Sequence, residues 1–285
     1  VTQTIGNPLS WTARALGRSG HHLAAAAREL GRDASEPPPR VRTLSIEDIR
    51  ASLAAGWDDF TASRSDVMFI VLIYPVIGLL LIGMVTQLSM LPLLFPLLAG
   101  FALLGPVAAV GLYEISRRRE KGESPAWSDA LRVVESPSFG AMLVMAFYLT
   151  ALFVAWMLVA AAIHKLTMGE AVPASLPAFA EQVLTTPGGW AMIVLGFGAG
   201  FVFAVVALAI SVVSFPLLLD RHVGVPVAIA TSVEVLRRNP RVVLTWGAVL
   251  AGGLALGSLP LLLGLMIVLP VLGHASWHFY RRAVE

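Results

Sequence analysis

The chain has 285 residues, of which 57% are hydrophobic and 13% charged, with a mean hydropathy of +0.78 and a formal net charge of +2. Soluble domains carry about 25% charged residues, so this composition excludes a water-soluble globular enzyme as the main architecture. The absence of cysteine excludes disulfides, thiolate-held clusters and a cysteine nucleophile, and no compact basic domain exists to present a nucleic-acid patch. Val1 to Arg40, with "HHLAAAAREL" and "SEPPPR", is expected to be a flexible tail that touches anionic lipid or a partner.

In "SIEDIRASLAAGWDDF", the apolar residues Ile46, Ile49, Leu53, Trp57 and Phe60 fall on one helical face. Glu47, Asp48, Arg50 and Asp58 fall elsewhere, and Ser45 with Asp48 three residues on fits a helix cap. This helix is too charged to cross a bilayer and is expected to lie in the membrane interface, with Ser52 and Asp59 facing water. Six apolar runs long enough to span follow, at about 67–86, 91–115, 139–163, 190–219, 242–258 and 260–280. They do not alternate polar and apolar residues as barrel strands do. The predicted fold class is therefore all-α, a polytopic membrane protein.

The in-plane helix recurs. "DALRVVESPSFGAML" carries Leu131 and Val134 after Trp127 and breaks at Ser136-Pro137; "SVEVLRRNPRVVLTW" carries Val233 and Leu236 after Ile229 and breaks at Asn239-Pro240. With Ser63-Arg64 as the first break, the chain reads as a single domain, 41–285, of three units: about 45–116, 124–220 and 225–282. Each is an in-plane helix, a short break and a membrane hairpin. The hairpin ends agree: Arg117 and Arg118 follow Pro106 at offsets 11 and 12, as Arg281 and Arg282 follow Pro270. Every Arg and Lys except Lys165 falls in the segments expected on one side of the membrane. The positive-inside rule makes that side cytoplasmic, with both termini on it.

"RTLSIEDIRASLAAGWDDF", then a span, then "GPVAAVGLYEISRRREKGESPAWSDAL", resembles a family of predicted bacterial integral membrane proteins, domain of unknown function 2189. The resemblance covers roughly Val41 to Arg282. It implies a bacterial inner membrane and brings no activity or catalytic residues.

The residues give little chemistry. No phosphate-binding G-x-x-x-x-G-K-[ST], no H-E-x-x-H and no G-x-S-x-G is present. His274 and His278, four apart on the sixth span, are the best metal or haem candidates. Their spacing alone does not make a site, and the expectation is interfacial histidines beside Trp277, with no metal or cofactor bound. Glu114 and Asp220 end their spans and are expected to pair with nearby arginines. Gly196-x-Gly198-x-Gly200, Ala248-x-x-x-Gly252 and Gly253-x-x-x-Gly257 allow close helix packing. These observations favour a non-catalytic accessory or assembly protein of a larger inner-membrane complex, respiratory or photosynthetic, bound to another membrane protein and the lipid bilayer. The alternative is a transporter, flippase or channel for an uncharged or amphiphilic molecule, with a polar path among Thr86, Gln87, Ser211, Ser214 and Thr245.

Overall fold

The computed structural model describes residues 39–62 and 91–285 except 171, 172 and 222, together with positions 76, 78–80 and 83. The expected tail up to residue 38, most of the first expected span, the Ser63-Arg64 break, His222 and the side chain of Trp127 lie outside the described residues.

Among the described residues the fold is all-α, without strands. Helix α1 (Ile46–Ala62) starts where the sequence places it. The Ser45 amide and hydroxyl both donate to Asp48 Oδ2, at 2.8 and 2.9 Å, so a first-turn carboxylate reaches back to satisfy the residue before the helix. Helical stretch α2 (Leu91–Glu120) tightens to 3-10 geometry at Leu91–Leu93 and Ala102–Leu104. Proline explains the second: Pro106 has no N–H for the Ala102 carbonyl, so the regular ladder fails there. A short 3-10 helix, Trp127–Glu135, begins with Asp129 accepting from the Ala126 amide at 2.9 Å.

Helix α3 (Phe139–Met168) closes on Gly169, whose φ of 81° suits glycine. Helix α4 (Leu176–Thr185) is capped by Ser175, and α5 (Pro187–Asp220) by Thr186, whose hydroxyl accepts from the Gly189 amide at 3.0 Å. A turn at Val212–Val213 interrupts α5. Helices α6 (Val225–Arg238) and α7 (Pro240–Ser258) meet at Asn239. Pro240 fits the first turn of α7, where its missing N–H costs nothing, and disfavours helical geometry in the residue before it. That is the physical basis of the Asn239-Pro240 break. Helix α8 (Leu265–Ala283) follows a turn containing Leu261 and Leu262 at positive φ.

Four stretches are long and apolar enough to cross a membrane: α2, α3, α5 and α7. They match the expected second to fifth spans. Helix α8, the expected sixth, is apolar over Leu265–Leu272, but its second half carries His274, Trp277, His278, Tyr280 and two arginines. That half is buried in protein: His274, Ala275, Trp277, Phe279, Tyr280 and Ala283 are all fully buried. Helix α3 packs on α5, α7 on α8, and α1 chiefly on α8. The outer faces are apolar, with Phe197 at 62% and Phe147 at 69% exposure. Such faces suit lipid, where apolar side chains need no covering.

The core is centred on α8 and the end of α5. Trp246 stacks on Phe279 with ring centroids 5.0 Å apart, over buried Phe215, Leu217 and Leu218. The chain near residue 41 returns to this end. Val41 pairs antiparallel with Val284, and the Arg42 amide donates to the Ala283 carbonyl at 2.9 Å. Asn239, at the α6–α7 break, holds the same segment: its Oδ1 accepts from the Leu44 amide at 2.7 Å and its Nδ2 donates to the Arg42 carbonyl at 2.9 Å.

Candidate functional site

Among the described residues, the buried charged groups lie in one polar layer, where the ends of α2, α5 and α8 meet under α1. Its centre is Asp59 of α1, only 7% exposed. Ser116 Oγ of α2 donates to Asp59 Oδ2 at 2.6 Å, His278 Nε2 of α8 meets the same oxygen at 2.9 Å, and Arg119 Nε lies 3.0 Å from Oδ1. An ionised carboxylate only accepts, so His278 must carry its proton on Nε2. The single Ser116 proton is committed to Asp59, so His274 Nδ1, 2.8 Å from Ser116 Oγ, must donate to it. The tautomer of His274 follows from this chain. Its other nitrogen, Nε2, is buried without a hydrogen-bond partner among the described residues. Burial alone would raise the Asp59 carboxyl, but the hydrogen bonds from His278 and Ser116 and the nearby imidazoles outweigh it and hold it below the usual aspartate value.

A second knot lies beside it. Arg281 of α8 reaches Glu120 of α2 (2.9 Å) and Asp220 of α5 (3.3 Å). The Trp277 indole donates to Glu120 at 3.0 Å, and the Tyr280 hydroxyl donates to Asp220 at 2.7 Å. One helix end thus ties the two others. Next to this knot, Glu114 is gripped by Arg117 (2.8 Å) and Arg118 (2.7 Å). A cleft of about 260 Å³ opens here, lined by Glu114, Arg117, Arg118, Arg132, Glu135, Ser136, Asp220 and the apolar Val133, Pro137 and Leu219.

The arrangement corrects several expectations. His274 is fully buried and His278 largely so, both belong to the Asp59 network, and among the described residues no group of three His, Asp or Glu is placed to hold a metal. Trp277 is likewise buried against protein, where its N–H finds Glu120. On α1 the buried face is Ile49, Ser52, Gly56, Asp59 and Phe60; Ile46 and Trp57 are exposed and Leu53 is half-buried. Asp59 and Ser52, expected to face water, are inside. The reason is steric as well as polar: a Cβ on Gly56 would lie 2.5 Å from the Ala275 amide nitrogen, so α1 meets α8 through its smallest residue. Leu131 and Val134 are exposed together. Ile229, Val233 and Leu236 are half-buried, because α6 turns Val227, Ala228, Thr231 and Val235 inwards.

Of the packing residues, Gly200 lies against Trp156, Gly253 against Leu272 and Val268, and Gly257 against Leu265 and Gly264. Gly196 and Gly252 would place a Cβ in open space and Ala248 is exposed, so the Ala248–Gly252 pair packs on no described helix. Three of the five residues of the expected polar path, Ser211, Ser214 and Thr245, are described. Ser211 and Ser214 are buried and donate to the Ala207 and Ile210 carbonyls, Thr245 is exposed and donates to Arg241, and Thr86 and Gln87 lie outside the described residues.

A membrane-length apolar bundle with its charges gathered at the helix ends is the architecture of a multi-pass membrane protein. Residues 94–220 match the family DUF2189, described as a predicted integral membrane protein. The matched segment is a little under half of the chain. Neither a curated protein nor a solved structure matches it. The DUF2189 segment holds Glu114, Ser116, Arg119, Glu120, Asp220 and the entire lining of the cleft. Asp59, His274, His278 and Arg281 lie outside it. The polar layer is therefore a seam between the DUF2189 segment and the helices on either side of it. The chain is an integral membrane protein with several apolar helices, in contact with the lipid bilayer.

Proposed function

We propose that this protein is a non-catalytic accessory or assembly component of a larger bacterial inner-membrane complex. The observation that carries the reading is the pairing of the buried carboxylates in the polar layer. Its buried carboxylates, Asp59 and Glu114, are fully engaged by serine, histidine and arginine. The Asp59 network holds α1 to α2 and α8, and Glu114 is neutralised within α2; catalysis instead needs a group poised toward a substrate. Outside this layer the long helices present apolar faces, and the bare small-residue positions Gly196, Ala248 and Gly252 on α5 and α7 leave room for helices of another membrane protein.

The reading includes six spans in three units, with the polar layer cytoplasmic. The arginine-rich segments and the joining of Glu120, Asp220 and Arg281, at the ends of α2, α5 and α8, support it. Purification from native membranes in mild detergent is expected to recover a stoichiometric membrane-protein partner. A protein that always purifies alone, with its deletion leaving every membrane complex intact, would overturn the proposal.

A further inference from the structure

We propose that the cleft between α2, the Trp127–Glu135 helix and the end of α5 binds the headgroup of a zwitterionic phospholipid, a phosphate ester that carries a primary ammonium. Three observations lead there. The first is position. The cleft sits where α2 and α5 end and α3 begins, so three candidate spans place it at the level of the headgroups. The exposed Leu131 and Val134 beside it offer an apolar surface to acyl chains.

The second observation is charge. Three arginines line the cleft, but two glutamates and an aspartate line it with them, so the lining is formally neutral. A neutral wall with separated charges matches a zwitterion better than an anion, whose extra negative charge it would not balance. The third is what remains available. Arg117 spends Nε and Nη2 on Glu114, leaving Nη1 without a hydrogen bond among the described residues. Arg132 is half-exposed, and its contacts with Asp129 and Glu135 are long, 3.4 and 3.6 Å. Glu135 is largely exposed and has no closer partner among the described residues. Arg117 and Arg132 therefore hold phosphate, with the Ser136 hydroxyl beside them, and Glu135 receives the ammonium. Glu114 takes no part, since both of its oxygens are already engaged by guanidinium groups.

The test uses the delipidated full chain in detergent. Short-chain phosphatidylethanolamine, short-chain phosphatidylglycerol and soluble phosphoethanolamine are titrated, with bound molecules counted by native mass spectrometry. The proposal expects phosphatidylethanolamine to bind more tightly than phosphatidylglycerol and much more tightly than phosphoethanolamine. Glu135→Gln should abolish the preference between the two lipids, and Arg132→Gln should weaken both by about tenfold, the size of a charge-assisted contact. Both side chains are exposed, so circular dichroism and melting of the variants should match the parent. Equal or tighter binding of phosphatidylglycerol overturns the proposal, as does a preference that survives Glu135→Gln or the absence of lipid binding. Phosphoethanolamine binding as tightly as the lipid overturns the assignment to a lipid.

Discussion

Replacing Asp59 by asparagine keeps the shape of the side chain and removes its charge. In the structure Oδ2 receives Ser116 and His278, while Oδ1 faces Arg119. An amide has only one acceptor oxygen. Turned one way, the new side chain points its NH2 at the Arg119 guanidinium; turned the other, it points its NH2 at two donors. Either way at least one charge-assisted hydrogen bond is lost, at about 1.5–3 kcal/mol. Removing one partner of a fully buried pair costs about 3–5 kcal/mol. Arg119 and His278 keep 30% and 19% of their side-chain surface exposed, so water relieves part of that cost. A loss of about 2–3 kcal/mol is expected for Asp59→Asn, a fall in Tm of about 5–10 °C for a chain of this size. The adjacent Asp58→Asn, at an exposed position, should stay within about 0.5 kcal/mol. The assay is thermal unfolding of both variants in detergent, followed by circular dichroism. Equal melting of the two variants would refute the buried network. The pH profile adds a check. The Asp59 carboxyl is held below its ordinary value of 3.8, so its contribution is complete above that pH and is lost as pH falls through the lower folded value. The parent should therefore lose stability below about pH 4 more steeply than Asp59→Asn.

Gly56→Val should push α1 away from α8, because even a Cβ there meets the Ala275 backbone; a loss of about 1–3 kcal/mol is expected by thermal melting. Gly253→Leu should destabilise the α7–α8 contact by a similar amount, whereas Gly252→Leu, which enters open space, should leave melting of the isolated protein unchanged.

The spans of α2, α3, α5 and α7 were legible because uninterrupted apolar runs of this length have few other uses. The Asn239-Pro240 break was legible because proline dictates the geometry on both sides of itself. The facing of α1 was not. Hydropathy selects Ile46, Leu53 and Trp57 as readily as Ile49 and Phe60, but close helix approach selects small residues, and the buried strip runs through Ser52 and Gly56 to Asp59. The four-residue spacing of Ser52 and Gly56 was the available signal, a small-residue pair on an amphipathic helix. His274 and His278 were recognisable as a same-face pair. Their partners were not, since Asp59 lies 219 positions from His278 and Ser116 lies 158 from His274, and no local pattern encodes such a meeting. The Val41–Val284 pairing was hidden for the same reason.

The proposed function rests on a proposed arrangement in the membrane: α1, the polar layer and the segment around residue 284 on the cytoplasmic side, with the α3–α4 connection on the other. The cysteine-free chain allows this to be read directly. Single cysteines at Glu47, Glu170 and Glu285, all exposed, would be labelled with a membrane-impermeant thiol reagent in cells with a permeabilised outer membrane and in inverted inner-membrane vesicles. The account predicts labelling of position 170 in the cells and of 47 and 285 only in the inverted vesicles. Labelling of 170 and 285 from the same side would contradict it.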